Sequence, residues 1–294
     1  MGIIYELTII IPAYNEAENL NTILHPLIEL CNQKNWKIII VNDGSTDNTK
    51  EILKSFQALD NFTVIHHKLN KGYGAAIKSG IIACETEYVI TIDADGQHRI
   101  GDIERLLNCM NVNDADMVVG SRKGLKSASY SRSIVKSFIR MVAKMLMNVP
   151  IYDLNSGMKL YRTELARKYL FLAPDTMSYS DIITLIFINN RHLVLETPII
   201  TNGRNKGKST IGIDTAFHTI MEVINIVILF NPMKIFLPLS IIAFLIGLIN
   251  GIPILLNGQG VTSGSALGIT AGIIFFLLGL IAEHLSLIRR NLNN

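Results

Sequence analysis

The chain reads Tyr88-Val89-Ile90-Thr91-Ile92-Asp93-Ala94-Asp95-Gly96-Gln97, so that an apolar run of strand length passes directly into two carboxylates and an amide. A short apolar run rich in β-branched residues is typical of a buried strand. Carboxylate and amide oxygens suit a hard divalent ion such as Mg²⁺ or Mn²⁺, which keeps positions open for water and substrate phosphates. The stretch therefore predicts a buried strand that ends at a metal site for a phosphate-bearing substrate.

Similar apolar runs alternate with longer mixed segments along residues 1–120. The runs are Leu7–Ile11, Lys37–Val41, Thr63–His66, Tyr88–Ile92 and Asp116–Val119. This alternation predicts an α/β fold whose mostly parallel sheet is covered by helices on both faces. Ligands of such open sheets bind beyond the carboxyl ends of the strands. Polar residues that follow the runs are therefore the candidates for a site.

Polar clusters follow four of these runs. They are Pro12–Glu16, Asn42–Ser45, Asp93–Gln97 and Gly120–Arg122. One such cluster would be ordinary loop chemistry, and Asp43 alone could serve only to cap the next helix. Four clusters in register with four strand ends predict a shared site. The carboxylates of Glu16 and Asp43 can accept hydrogen bonds from a nucleobase edge or a ribose hydroxyl.

Two basic segments lie further along the chain. Residues 122–144 contain seven Lys or Arg and no acidic residue, with a cation at every fourth position from Arg132 onward. This spacing predicts a basic amphipathic helix over residues 131–147, which can lie on an anionic membrane and contact a lipid phosphate. The alternative is a solvated face on a helix that packs on the core. The loop Arg204–Thr210 carries three cations and a glycine, which suits a diphosphate.

The C-terminal region is apolar enough to enter a membrane. Ile235–Leu256 runs 22 residues without a charge and Ala266–Ala282 a further 17, where about 20 span a bilayer core. Lys234 precedes the first run and Arg289-Arg290 follows the second, whereas the connector has no Lys or Arg. Because positive flanks stay in the cytoplasm, we expect a hairpin with both ends cytosolic. A hairpin buried in a protein core is the alternative.

Composition argues against a signal peptide, a cysteine metal site and nucleic-acid binding. The N-terminus lacks a basic segment followed by an unbroken apolar one, so we expect no signal peptide. Cys31, Cys84 and Cys109 are far apart and without the spacing of metal ligands, so we expect them to be reduced and without function. The net charge is only +3, which together with the membrane anchor argues against nucleic acid as a partner of the basic loop.

Together these motifs resemble the family-two glycosyltransferases of the GT-A fold, and among them the polyprenyl-phosphate hexosyltransferases. The resemblance covers about residues 7–210 and follows the family order of motifs. The motifs are Ile11–Glu16, Val41–Asp47, Asn70–Gly72, Asp93–His98, Gly120–Arg122, Asp153 with Ser156, Gly157 and Arg162, and Arg204 with Gly207 and Ser209. It implies a Rossmann-like GT-A domain over residues 1–210. The apolar segments beyond it predict an amphipathic interface helix over 211–232 and a transmembrane hairpin over 233–294.

The resemblance also implies roles for individual residues. The nucleoside of a UDP- or GDP-sugar donor would be surrounded by Pro12, Tyr14, Glu16 and Asp43. Asp95 and Gln97 would hold Mg²⁺ or Mn²⁺, with Asp93 beside the sugar and the reacting centre. The donor diphosphate would be steadied by Arg204 and Lys208. The acceptor phosphate would be received by Arg122, Arg132 and Lys136.

The implied reaction is the inverting, metal-dependent transfer of a hexose to an undecaprenyl or dolichyl monophosphate. The catalytic domain would face the cytosol at the cytoplasmic membrane, in a multi-pass and oligomeric protein. One alternative is a membrane-anchored transferase that acts on a glycan or another non-polyprenyl acceptor. A processive polysaccharide synthase would need a Gln-x-x-Arg-Trp motif, but the single tryptophan is Trp36. A non-catalytic membrane scaffold or sugar-nucleotide-binding subunit is a third alternative.

Overall fold

The computed structural model describes residues 5–122, 149–200, 231–258 and 260–291, together with four residues between 221 and 228. The predicted basic helix over 131–147 lies outside these residues, as does most of the predicted interface helix over 211–232. The described residues fall into two compact units, 5–122 with 149–200 and 221–291.

The first unit is built on a sheet with seven strands among the described residues, in the order β3-β2-β1-β4-β6-β5-β7. The strands are β1 Leu7–Ala13, β2 Lys37–Asn42, β3 Phe62–His66, β4 Tyr88–Thr91, β5 Met117–Ser121, β6 Lys159–Arg162 and β7 Val194–Pro198. Only β6 runs antiparallel to its neighbours, β4 and β5. The predicted mostly parallel sheet is therefore confirmed, and all five apolar runs form strands.

Helices cover both faces of this sheet, as predicted. They are α1 Ala17–Lys34, α2 Thr49–Lys54, α3 Tyr73–Ala83, α4 Gly101–Asn113, α5 Thr163–Tyr169 and α6 Tyr179–Asn189, with a 3₁₀ turn at Leu170–Leu172. The apolar faces of α1 and α4 join the side chains of Ile9, Ile38 and Ile90 in one buried core. On the other face a Cβ at Gly80 in α3 would lie 2.6 Å from Ile10 Cγ2, so glycine allows the close approach of helix and strand.

The strand directions fix where the loops meet. Apart from β6, the strands run the same way, so the segments that follow β1 to β5 and β7 leave one edge of the sheet. β6 begins at that edge because it runs in the opposite direction. All four polar clusters singled out in the sequence therefore lie along the same edge, together with the segment that leads into β6.

The second unit is a helical hairpin of α7, Met233–Leu256, and α8, Ser263–Asn291. Both helices are long and apolar enough to cross a membrane, and only 11% and 17% of their most apolar windows are buried. Small residues let the helices approach, since a Cβ at Gly268 would lie 2.7 Å from Gly247 Cα. Because the apolar side chains point outward rather than into a core, this surface suits lipid better than water. The predicted apolar hairpin is confirmed.

Candidate active site at the carboxyl edge of the sheet

The segments after β1 and β2 are joined by hydrogen bonds. Asn15 Oδ1 accepts from Thr46 N at 2.8 Å, and Asn15 N donates to Ser45 Oγ at 2.9 Å. Asn15 has a φ of 55°, a left-handed conformation that asparagine tolerates. This arrangement leaves the ring of Tyr14 46% exposed at the edge of the sheet. Tyr14 is therefore accessible to a ligand there.

The other predicted nucleoside-binding residues differ in their surroundings. Pro12 is buried in β1. Glu16 is partly buried, and its Oε2 accepts from Asn19 Nδ2 at 2.6 Å. Glu16 N donates to Thr49 Oγ1 at 3.1 Å, which fixes the start of α1 against α2. The structure thus brings Pro12, Tyr14 and Glu16 to one end of β1.

The carboxylate of Asp43 is occupied by protein donors. Its Oδ1 accepts from Lys71 N at 2.9 Å and lies 2.6 Å from His67 Nδ1, and its Oδ2 accepts from Gly72 N at 2.8 Å. Asp43 is only 3% exposed. The turn that it holds needs glycine at Gly72, where φ is 102°. This geometry gives Asp43 a role in supporting the turn, and its contact with a nucleoside stays a prediction.

Asp93 stands at the end of β4 with both carboxylate oxygens engaged. Tyr73 Oη donates to its Oδ1 at 2.8 Å, and His98 Nε2 lies 3.3 Å from its Oδ2. Burial opposes ionisation, but the hydrogen bonds from His98 and Tyr73 and the nearby charge of Arg122 together hold the pKa of Asp93 below its usual value. The carboxylate is therefore an anion at neutral pH and a weak base.

Asp95 and Gln97 follow on a tight turn. Gly96 between them has a φ of 74°, and Gln97 N donates to Asp95 Oδ1 at 3.1 Å. Among the residues that the structure describes, no group of three or more His, Cys, Asp or Glu could hold a metal ion. One carboxylate and one amide fit Mg²⁺ or Mn²⁺, which take their remaining ligands from water and substrate phosphates. The same set does not fit zinc, which uses at least three protein ligands.

Arg122 follows β5 and is held by Asp153. Its Nε donates to Asp153 Oδ2 at 2.7 Å and its Nη2 to Asp153 Oδ1 at 2.9 Å, the two-point geometry of a strong ion pair. Nη2 also donates to Asn155 O at 2.6 Å. Burial opposes the charge of Asp153, but the Arg122 guanidinium holds its pKa below the usual range. The Arg122 side chain is still 31% exposed, so a ligand can reach it.

The segment Asp153–Gly157 also reaches Asp93. A Cβ built on Gly157 would lie 2.1 Å from Asp93 Oδ2, so the bare glycine backbone packs directly on that carboxylate. Thr91 Oγ1 donates to Gly157 O at 2.8 Å and fixes this approach. Taken alone, the sequence of this segment indicates only a turn with a helix cap. In the structure it connects Arg122 to Asp93.

Sequence reasoning gave no role to three residues near this edge: Tyr73, His98 and Lys159. Tyr73 opens α3, and the only available signal was its position after Gly72. His98 adjoins the acidic turn, and its side chain is only 7% exposed. Lys159 was missed because a lysine within an apolar run argues against a buried strand. The predicted phosphate-binding residues Arg132, Lys136, Arg204 and Lys208 lie outside the described residues, so their roles stay predictions.

Comparison with known proteins agrees with this architecture. A dolichyl-phosphate beta-glucosyltransferase of Dictyostelium discoideum is 32% identical over 181 residues, which is 55% of each chain. The chain thus spans about half the length of that relative. A polyprenol monophosphomannose synthase of Mycolicibacterium smegmatis is 31% identical over 212 residues, covering 68% of this chain and 79% of the relative.

A solved structure shares the fold. It is glucosyl-3-phosphoglycerate synthase from Mycobacterium tuberculosis in complex with Mn²⁺, UDP-glucose and phosphoglyceric acid. The TM-score is 0.59 at 14% identity, over 76% of this chain and 80% of that one. Residues 231–288 match the GtrB C-terminal hairpin. Residues 8–170 match Glycosyl transferase family 2, so the chain belongs to that family and has the expected GT-A fold.

Proposed function

We propose that this glycosyltransferase moves a hexose from a nucleotide sugar to a polyprenyl monophosphate, with inversion at the anomeric carbon. The observation that carries the proposal is the arrangement at one sheet edge. An oxygen-only ligand pair, Asp95 and Gln97, follows β4, and a partly exposed arginine, Arg122, follows β5. The apolar hairpin of the same chain is long enough to anchor the protein in a membrane, which is where a lipid acceptor is found.

The donor half of the reaction depends on the turn after β4. Asp95 and Gln97 would hold Mg²⁺ or Mn²⁺, which neutralises the charge that grows on the departing diphosphate. Tyr14, exposed at the end of β1, would lie against the nucleoside. The solved structure that shares this fold contains Mn²⁺ and UDP-glucose, which supports a nucleotide sugar and a divalent ion here.

The acceptor half needs alignment more than it needs a base. A phosphate monoester is ionised at neutral pH, with a second pKa of about 6, so it can attack the sugar directly. Asp93 is an anion with a lowered pKa, so it orients the reacting groups better than it removes a proton. Arg122 would align the phosphate for attack opposite the leaving diphosphate, which gives a β-linked product from an α-linked donor.

The names of the relatives favour a lipid phosphate over other acceptors. One is named for glucose transfer to dolichyl phosphate and the other for synthesis of polyprenol monophosphomannose. We propose that the protein lies in the cytoplasmic membrane, and the flanking charges of the hairpin support a catalytic unit in the cytosol. Assembly into a homo-oligomer stays part of the proposal.

A direct assay tests the reaction. Purified full-length protein in detergent would be incubated with labelled UDP- and GDP-sugars, Mg²⁺ and undecaprenyl phosphate. We expect one donor to give an alkali-stable lipid-linked monosaccharide. Label on an added glycan instead would support the non-polyprenyl transferase, and no transfer with any donor would support the non-catalytic scaffold. Either outcome would overturn the proposal.

Asp153→Asn is expected to weaken acceptor binding. The amide keeps the size of the side chain but removes the charge that pairs with Arg122. The loss of a charge-assisted hydrogen bond predicts a 10- to 100-fold rise in the acceptor KM, that is about 1.5–3 kcal/mol. Steady-state rates at varied undecaprenyl phosphate measure it. Asp114→Asn is the matched control, since Asp114 also pairs with an arginine, Arg162, but at the opposite edge. Equal KM values in both variants would contradict the prediction.

A further inference from the structure

A lysine lies in the interior behind the candidate site. Lys159 is fully buried, with 0% of its surface exposed. It lies on β6, where it is paired with Thr91 of β4 on one side and Val119 of β5 on the other. These two strands lead into the acidic turn and into Arg122. Lys159 therefore occupies the strand between the two halves of the site.

The ammonium group of Lys159 has an acceptor for each of its three protons. Nζ donates to Leu154 O at 2.7 Å and to Thr184 Oγ1 at 2.7 Å, and also to Ser180 O. Leu154 belongs to the segment between β5 and β6, directly after Asp153. Ser180 and Thr184 belong to the first turns of α6. One side chain thus fastens that segment to a helix.

The fastened segment is the one that shapes the site. Asp153 and Asn155, on either side of Leu154, both accept hydrogen bonds from Arg122. Gly157, two residues further on, packs on Asp93. A shift of the Leu154 carbonyl would therefore move the acceptors of Arg122 and the glycine that packs on Asp93.

A cation in this position is costly. Burial lowers the pKa of Lys159 below its usual value, although the charges of Asp181 and Asp153 act in the opposite direction. An apolar side chain of similar volume often replaces a buried ion at little or no loss of stability. Packing alone therefore gives no reason for lysine, whereas three directed hydrogen bonds do.

We propose that Lys159 is a positioning residue for sugar transfer, because its ammonium holds the Asp153–Gly157 segment against α6 and so sets the place of Arg122 and Asp93. The proposal deepens the function given above and rests on it. Lys159 touches no reacting group, so it acts through Asp153 and Gly157. Its loss would affect the acceptor side of the reaction more than the donor side.

The test compares Lys159→Met with Lys37→Met in the full-length protein. Methionine is unbranched like lysine and one atom shorter, and it removes every donor. Lys37 is also a strand lysine, but it pairs with the exposed Glu85. For Lys159→Met we expect an acceptor KM raised about tenfold, a lower kcat and an unchanged donor KM. The control should retain wild-type values. A purely structural role would reduce the active fraction and leave both KM values unchanged, which would overturn the proposal.

Amide hydrogen exchange gives a readout that does not depend on activity. We expect Lys159→Met to speed exchange in residues 153–158. The amides of β1 and β2, which lie away from β6 in the sheet, should exchange at the wild-type rate. If the wild type proves inactive towards every polyprenyl phosphate, the proposed function fails, and the exchange pattern still decides the role of Lys159. Unchanged exchange in residues 153–158 would overturn it.

Two further variants cover a failure of Lys159→Met to fold. Thr184→Val removes one of the three acceptors and should raise the acceptor KM in the same direction by a smaller factor. A double-mutant cycle between Thr184→Val and Asp153→Asn tests the route. If the lysine acts through Asp153, Thr184→Val adds little in the Asp153→Asn background. Fully additive effects would overturn the proposal.

Discussion

Asp95→Asn is expected to lower kcat about 1,000-fold, since several kcal/mol of charge stabilisation on the leaving diphosphate depend on the metal. Asparagine keeps an oxygen that can accept from Gln97 N, so the turn and the fold should persist. The carboxylate charge, however, is lost from a site with very few protein ligands. Initial rates across a Mg²⁺ and Mn²⁺ titration measure both the loss and the weaker apparent affinity for the ion.

Asp60→Asn serves as the control for this experiment. Asp60 is exposed in the turn that leads into β3, on the edge of the sheet opposite the candidate site. The same change of chemistry there should leave the rate and the metal dependence as in the wild type. Full activity of folded Asp95→Asn at low Mg²⁺ would refute a metal role for Asp95.

Gly157→Ala is expected to reduce kcat about 100-fold, the usual effect of moving a reacting group by about 1 Å. The added methyl group would lie 2.1 Å from Asp93 Oδ2 and 2.5 Å from its Cγ, so the carboxylate must move. Because φ at Gly157 is not in the left-handed region, alanine strains the backbone little. The effect is therefore specific to Asp93. Steady-state kinetics together with thermal unfolding separate it from a loss of folded protein.

Two comparisons sharpen this prediction. Gly101→Ala is the matched control, because nothing lies within 4 Å of a Cβ built there. The losses of kcat in Gly157→Ala and Asp93→Ala should not be additive, because a displaced carboxylate and a missing carboxylate lower the rate for the same reason. If Gly157→Ala lowers the rate further in the Asp93→Ala background, its effect arises elsewhere.

The sheet was predictable where its strands obey local rules. Runs such as Lys37–Val41 are apolar and rich in isoleucine, and their burial on both faces makes them recognisable in isolation. β6 was not predictable in this way, because it carries Lys159 and Arg162. The charge of Lys159 is satisfied by Leu154, Ser180 and Thr184, and the last two belong to a helix about 20 residues later. Such partners leave no trace in the local pattern.

The candidate site likewise has a part that local sequence predicts and a part that depends on distant segments. A metal site in the run Asp93–Gln97 could be predicted from its own neighbours, since ligand chemistry and a strand end are both local features, and it stays a prediction. The parts played by Asp153 and Gly157 depend on an antiparallel strand that brings a later segment beside β4. Asp43 illustrates the converse, because its carboxylate faces backbone amides near Lys71 rather than open solvent. Sequence alone could not show whether the hydrogen-bond donors to the Asp43 carboxylate belong to the protein or to a ligand.

The antiparallel strand has an electrostatic consequence. With β6 between them, the ends of β4 and β5 stand two interstrand spacings apart, about 10 Å. Were the two strands neighbours, the guanidinium of Arg122 could pair with Asp95 instead of Asp153. The inserted strand therefore separates the turn that carries Asp95 from Arg122, and the phosphate and sugar of the proposed reaction would have a gap of that width between the two groups.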